Sequence, residues 1–299
     1  MADGSPTIRQ RELGLRLRKL RTDRDLTVEE VADMLMCSTA KISRLETAAR
    51  PPILRDVRDL CGLYKVDEAA TADLMEIAKE ARKQGWWTKY EDHKLSPYIG
   101  LEQEAAAITA YSMYFVHALA QTEEYAQTII RAIAPKMTPE IHKQRVELRL
   151  RRQELLDGVN PPRYRLLLDE AVLRRPIGTS GLMAAQLARI LELVSSQKAT
   201  VQVIPFDLGA YFVSDVNYTF LEFTESWLSP VVFVESLGGN QYYERPADVA
   251  LYRESIESIR DGALSPRDSV LLLTEAQKSY AADSDSPTAR GGNSSTEGK

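Results

Sequence analysis

The side chains of this 299-residue chain that best suit a specific chemical task lie between Thr27 and Glu46. Apolar residues at helical spacing predict two short helices there, joined by a tight turn. Ile42 and Leu45 face inward on the second helix, so its other side presents short polar and basic groups. A second helix with such an outer face is typical of a helix-turn-helix, in which it enters the DNA major groove.

Two kinds of DNA contact are predicted for this second helix and its flanks. Base edges are assigned to Thr39, Lys41 and Arg44, because Lys and Arg pair with guanine acceptors and a Thr methyl group can meet that of thymine. Phosphate contacts are assigned to residues that carry a hydroxyl or guanidinium group: Thr27, Ser38, Ser43, Thr47 and Arg50.

Local signals place these side chains on their elements. Thr27 and Glu30 have the spacing of a capping box, in which each side chain accepts a backbone N–H at the start of a helix. The turn is predicted at Met36 and Cys37, and Ser38 is a suitable N-cap for the second helix. Thr27 is therefore a cap first and a phosphate contact second.

Apolar repeats predict one helix before this pair and two after it, which gives an all-α domain of five helices over residues 8–83. Residues 84–97 are predicted to be a linker, whose Trp86, Trp87 and Tyr90 pack against a second domain. The second domain covers residues 98–279. Residues 1–7 and 280–299 are predicted to be disordered, since the tail has almost no large apolar residues.

The second domain is predicted to be α+β, with a mostly antiparallel or mixed sheet. Stretches rich in β-branched and aromatic residues predict strands at 165–169, 200–206, 217–223 and 231–236. A hairpin turn at 237–240 leads into 241–243. Amphipathic or charged helical patterns cover 140–156, 182–194 and 246–260.

Charge is distributed unevenly along the chain. Residues 1–58 contain 12 Lys and Arg against 9 Asp and Glu, a net charge of +3, whereas the whole chain carries −5, so residues 59–299 carry −8. A mildly basic head on an acidic body suits docking on DNA through one face. Because the basic excess is small, non-specific DNA affinity should be modest and strongly salt-dependent.

Several other classes of protein are disfavoured. The polar N-terminal residues do not resemble a signal peptide and no apolar run is long enough to cross a bilayer, so we expect a cytoplasmic, nucleoid-associated protein that binds no membrane. His93, His117 and His142 have no metal-site or catalytic-triad spacing. We therefore expect no enzyme activity, no metal and no cofactor.

One acid–base or anion site is an alternative to this expectation. It would combine Asp169 and Glu170 with the nearby Arg174 and Arg175. A strand end followed by a charged turn is the preferred interpretation of these four residues.

The order of several motifs resembles a known family. LRKLRTDRDLTVEEVAD followed by KISRLETAARPP is similar to the DNA-binding domain of XRE (lambda-repressor-like) regulators. Residues 8–275 as a whole resemble the antitoxin-like XRE regulators that carry a C-terminal domain of unknown function. The motifs that carry this resemblance are GWWTKYED, YIGLEQEAAAITAY, ALAQTEEYAQ, RVELRLRRQELL, LLLDEAVLRRPIG, VQVIPF and YTFLEF.

The chain departs from the family pattern at three places. Family members usually have Gln after the cap Thr, where it touches a phosphate, and Val28 stands there. The usual Gly after the recognition helix is Ala48. The usual Pro-Gly-Leu-Leu-Gln-Thr run reads His-Ala-Leu-Ala-Gln-Thr at residues 117–122.

Together these features lead us to expect a bacterial transcription regulator that binds double-stranded DNA as a homodimer, joined through the C-terminal domain. Its operator would be pseudo-palindromic, with two recognition helices about 34 Å apart. The resemblance also implies an antitoxin-like alternative, in which the C-terminal domain holds a small protein encoded nearby. A third alternative is a small-molecule sensor with an apolar pocket lined by Phe206, Tyr211, Phe220 and Phe223.

Overall fold

The computed structural model describes residues 6–90, 96–211, 216–236 and 239–285. The described residues form two compact units. The first contains residues up to Ala105 together with Phe223–Ser229, and the second contains Ala106–Glu222 and the residues from Pro230 onward.

The first unit begins with the five predicted helices. They are α1 Pro6–Thr22, α2 Val28–Met34, α3 Thr39–Glu46, α4 Leu54–Leu63 and α5 Glu68–Glu80. Their inner faces form one core that includes Leu13, Leu17, Val31, Ile42, Val57, Leu60 and Tyr64. The prediction of an all-α N-terminal domain is confirmed.

The predicted linker forms ordered structure within this unit. A 3-10 helix, Trp86–Lys89, precedes α6 Ser96–Glu104, and residues 91–95 lie outside the described residues. Trp86 Nε1 donates to Gln103 Oε1 at 3.0 Å, and a Cβ on Gly100 would meet the side chains of Thr7 and Trp87. Trp86 and Trp87 thus contact α6, and the first compact unit extends to Ala105.

The second unit alternates strands and helices. Its elements are β1 Ala107–Ser112, α7 Glu123–Ile133, α8 Pro139–Gln153, β2 Arg163–Asp169, α9 Glu170–Arg174, α10 Ser180–Ser195, β3 Ala199–Ile204, β4 Tyr218–Glu222, β5 Val231–Ser236, β6 Gly239–Tyr243, α11 Pro246–Gly262 and α12 Pro266–Asp285.

The described strands form a six-stranded sheet in the order β3-β2-β1-β4-β5-β6. β1, β2 and β3 are parallel, because helical crossovers connect them, whereas β4, β5 and β6 run antiparallel to their neighbours. The sheet is therefore mixed, and the prediction of an α+β second domain is confirmed. Residues 237 and 238 of the predicted hairpin turn lie outside the described residues.

One face of the sheet is covered by α11, whose Val249, Ile256 and Ile259 share one apolar core with Tyr111 and Leu167. The edge strand β3 is closed by the start of α12. There the buried Ser269 hydroxyl accepts the Val203 N–H at 2.9 Å.

The first and last helices extend into the ends that were predicted to be disordered. α1 already includes Pro6 and Thr7, and α12 continues to Asp285. The end of α12 lies beside the start of α10, where a Cβ on Gly181 would be 3.8 Å from the Ser284 side chain. Residues 1–5 and 286–299 lie outside the described residues.

Candidate nucleic-acid interface

The inner face of α3 is fixed to α1 at very short range. Ile42, Leu45 and Glu46 are buried. At Gly14 of α1, an added Cβ would lie 2.5 Å from the Glu46 carbonyl oxygen. Glycine is therefore required there for the two helix backbones to touch.

A buried ion pair strengthens this attachment. Arg21 Nε and Nη2 donate to the two carboxylate oxygens of Glu46 at 2.7 and 2.9 Å, and Nη1 donates to the Leu26 carbonyl at 2.7 Å. The hydrogen bond to Glu46 raises the pKa of Arg21 above its ordinary value, against the opposing effect of burial. One guanidinium group thus joins α1, the chain before α2 and the end of α3.

The start of α2 has the predicted capping box. Thr27 Oγ1 accepts the Glu30 N–H at 3.1 Å, and the Glu30 carboxylate accepts the Thr27 N–H at 2.8 Å. The backbone hydrogen bond from Thr27 lowers the pKa of the Glu30 carboxyl. Val28, in the place of the family's Gln, packs against the core. A phosphate contact by Thr27 would have to share its hydroxyl with the cap.

The outer face of α3 is exposed along one continuous arc. At about 100° per residue, this arc contains Thr39, Ala40, Ser43, Arg44 and Thr47, all of which are exposed. Within the described residues, Arg44 forms no ion pair. Its guanidinium group is therefore available to an outside acceptor.

Two predicted phosphate contacts border the ends of α3. Ser38 has the extended backbone of an N-cap but makes no side-chain capping hydrogen bond, unlike the prediction, so its exposed hydroxyl is not used by the helix. Arg50, which follows α3, is half-buried and forms no ion pair in the described parts of the chain.

Lys41 is placed differently from the prediction that it faces outward. Its Nζ lies 2.7 Å from Asp56 Oδ1 on α4, and the lysine side chain is 33% exposed. Lys41 lies beside the buried Leu45 at the edge of the exposed arc, because it is two residues, about 200°, from Thr39. A base contact by Lys41 would have to compete with Asp56.

Two residues of this surface were missed by sequence reasoning. Ala40 lies in the middle of the exposed arc and has a methyl group that could meet a thymine methyl. Met36, in the turn, is 94% exposed and has a φ of 49°. A helical projection of residues 38–47 would have found Ala40, whereas the turn at Met36 was predicted but the exposure of its side chain was not.

The other candidates in the second unit are bonded within it. Asp169 accepts the Ala171 N–H at the start of α9, and Glu170 pairs with Arg174 at 2.9 Å. His117 Nδ1 lies 2.8 Å from the Tyr164 hydroxyl. His93 and Phe223 do not belong to the described second unit, because His93 lies outside the described residues and Phe223 belongs to the first unit.

Of the remaining aromatic residues proposed to line a pocket, Phe220 is buried in the sheet core and Phe206 is 59% exposed. In the described ranges, no three His, Cys, Asp or Glu side chains are arranged to hold a metal ion. None of the described helices combines the length and apolar composition needed to cross a bilayer.

Comparison with protein-family models assigns both units. Residues 12–74 match a helix-turn-helix domain, which indicates a DNA-binding regulator. Residues 95–275 match the family described as "Domain of unknown function (DUF5753)", and the chain belongs to that family. These matches confirm the predicted combination of domains and fit an XRE-like regulator. No curated protein and no solved structure matches the chain.

Proposed function

We propose that the protein regulates transcription by placing α3 in the major groove of a specific operator. One observation supports this most strongly: α3 presents an unpaired Arg44 on its exposed arc, while its opposite face is held by the buried Arg21–Glu46 pair. Base recognition requires donors on a rigid element whose position is fixed by its surroundings. α3 meets both conditions.

In this proposal Arg44 donates to a guanine, and Thr39 and Lys41 complete the base contacts. The phosphate contacts come from residues around this helix: Thr27, Ser38, Ser43, Thr47 and Arg50. Lys41 has the smallest share, since its ion pair with Asp56 must first be broken.

We further propose that two copies bind a pseudo-palindromic operator, with the dimer formed through the second unit. A helix-turn-helix contacts one half-site, and a dimer places two such helices about one DNA turn apart. Sedimentation of the full chain should give twice the monomer mass. A monomer at the concentrations that bind DNA would contradict the dimer but leave the role of α3 intact.

Genome-wide binding of the tagged protein in its native host tests the regulatory proposal. Wild type should give sharp peaks, including one at its own promoter, and Arg44→Ala should lose them. Arg82→Ala is a matched control, because Arg82 is exposed and lies outside α2 and α3. Peaks that survive in Arg44→Ala would contradict the assignment of α3.

We also propose, as a second candidate, that the second unit holds a small basic protein encoded nearby, because this unit contains 23 Asp and Glu against 20 Lys and Arg. Co-expression with each neighbouring gene product should yield a complex that weakens with salt. If every neighbour elutes separately at low ionic strength, this proposal fails.

A further inference from the structure

Two arginines of β2 lie on the sheet face that α11 covers, the exposed Arg163 and the half-buried Arg165, and the exposed Arg260 of α11 lies near them. Arg163 and Arg165 alternate along β2 with Tyr164, so they share the sheet face of Leu167. Leu167 packs against α11 in the core of this face. Arg260 comes from α11 itself and is close enough for its charge to act on Arg165.

None of these guanidinium groups has a partner among the described residues. Arg163, Arg165 and Arg260 form no ion pair and no side-chain hydrogen bond there. Glu222 also lies near Arg165, but it is already bound by Arg253 at 3.0 Å. Burial, followed by the charges of Arg260 and Arg163, lowers the pKa of Arg165 from its ordinary value.

Threonine residues on the strands beside Arg165 supply hydroxyl groups. In the strand register Arg165 lies between Thr109 on β1 and Thr200 on β3, and all three side chains share one face. Thr109 is buried and Thr200 is exposed. The surface therefore combines cationic and hydroxyl donors, and Glu222, the carboxylate that acts on Arg165, is paired with Arg253.

Several other arginines of the same unit have carboxylate partners. Arg174, Arg189 and Arg253 each pair with a carboxylate. A half-buried arginine among like charges is unfavourable unless something neutralises it. The second unit as a whole contains 20 Lys and Arg against 23 Asp and Glu, so a general excess of basic residues does not explain the cluster.

We propose that Arg163, Arg165 and Arg260 bind the phosphate group of a small phosphorylated molecule. Guanidinium groups bind phosphate oxygens through paired N–H donors, and the threonine hydroxyls can complete the contacts. The site lies entirely within the second unit and does not depend on the DNA-binding proposal.

Calorimetric titration of the full chain with inorganic pyrophosphate tests the site, in chloride buffer of constant ionic strength. Wild type should bind one pyrophosphate per chain in a saturable manner, and Arg165→Gln should weaken binding by at least about tenfold. Arg267→Gln removes the same charge from an exposed position on α12 and should bind like wild type. No saturable heat, or an equal loss in Arg267→Gln, would overturn the proposal.

Two further measurements distinguish a phosphate site from a structural role of Arg165 and from a DNA contact. Arg165→Gln should melt at or above the temperature of wild type, because it removes an unpaired charge. A lower melting temperature would show that Arg165 has a structural role instead. A non-operator DNA duplex should not displace pyrophosphate. If the duplex does compete with pyrophosphate, and Arg165→Gln no longer binds the duplex at this site, these arginines contact the DNA backbone instead.

Discussion

Removal of one partner from the Arg21–Glu46 pair should destabilise the first unit strongly. The side chains are 10% and 5% exposed, and Arg21 donates three hydrogen bonds of 2.7 to 2.9 Å. Loss of one member of a buried pair typically costs about 3–5 kcal/mol, since the other charge stays buried. The pair lies just beneath the surface, so we expect about 3 kcal/mol for Glu46→Leu or Arg21→Met.

Tryptophan fluorescence can measure this loss in the first unit alone. All three tryptophans of the chain, Trp86, Trp87 and Trp227, belong to that unit. With a urea dependence of about 2 kcal/mol per M, a loss of about 3 kcal/mol lowers the unfolding midpoint by about 1.5 M. Far-UV circular dichroism follows both units and should show the second one unfolding unchanged.

The double variant Arg21→Met/Glu46→Leu separates the ion pair from simple packing. Apolar replacement of a whole buried pair is often nearly neutral. The free energy of unfolding of the double variant should therefore lie within about 1 kcal/mol of wild type, and the remaining loss comes from the Leu26 carbonyl, which no longer has the Arg21 donor. Glu76→Gln is the control, because it breaks an exposed pair with Lys79 and should change stability by less than about 0.5 kcal/mol. Additive single losses in the double variant would refute the reasoning.

Three further substitutions test other contacts of the first unit. Ala48→Gly should raise its stability by about 0.5–1 kcal/mol in urea unfolding, because Ala48 has a φ of 55° that glycine adopts without strain; a loss would contradict this. Gly14→Ala should cost about 1–3 kcal/mol in the same assay, since the added Cβ overlaps the Glu46 carbonyl; an unchanged midpoint would show that α1 and α3 can separate freely. Glu30→Gln should melt below wild type at neutral pH. Because the pKa of Glu30 is lowered in the folded protein, its charged carboxylate stabilises the fold above pH 4.5, and this stabilisation is lost as the pH falls through the lowered pKa. The difference in melting temperature should therefore close below pH 4.5. A difference that is constant with pH would exclude the charged capping box.

The helix-turn-helix could be predicted because its determinants are local. The Thr27–Glu30 box joins residues three apart, and the inward direction of Ile42 and Leu45 follows from helical spacing. The orientation of Lys41 could not be predicted in this way, because its partner Asp56 lies on α4.

The features that were missed depend on distant parts of the chain. The Arg21–Glu46 pair joins residues 25 positions apart. In the sequence, each of these charged residues by itself is typical of an exposed helix face. The central strand β1, with sequence AITAYS, is buried on both faces and contains small residues instead of a β-branched alternation. Its role depends on β2 and β4, which pair with it from either side.

Residues 117–122, whose sequence departs from the pattern of the XRE regulators, are also held by residues that are distant in the chain. Gln153 donates to the carbonyls of Ala118 and Gln121 at 2.9 Å, and Gln186 donates to the Ala120 carbonyl at 2.7 Å. Thr122 caps α7. The segment is held through its backbone carbonyls, so the side chains before Gln121 can vary without loss of these bonds.

The role of α3 is tested most directly by selecting sites from a random duplex library with the purified full chain. We then expect an inverted repeat with half-sites about one DNA turn apart. On the selected site, Arg44→Ala should bind about 5- to 140-fold more weakly, equivalent to about 1–3 kcal/mol, and lose its preference at one base pair of each half-site. Recovery of the same motif with the same affinity by Arg44→Ala would contradict recognition through α3.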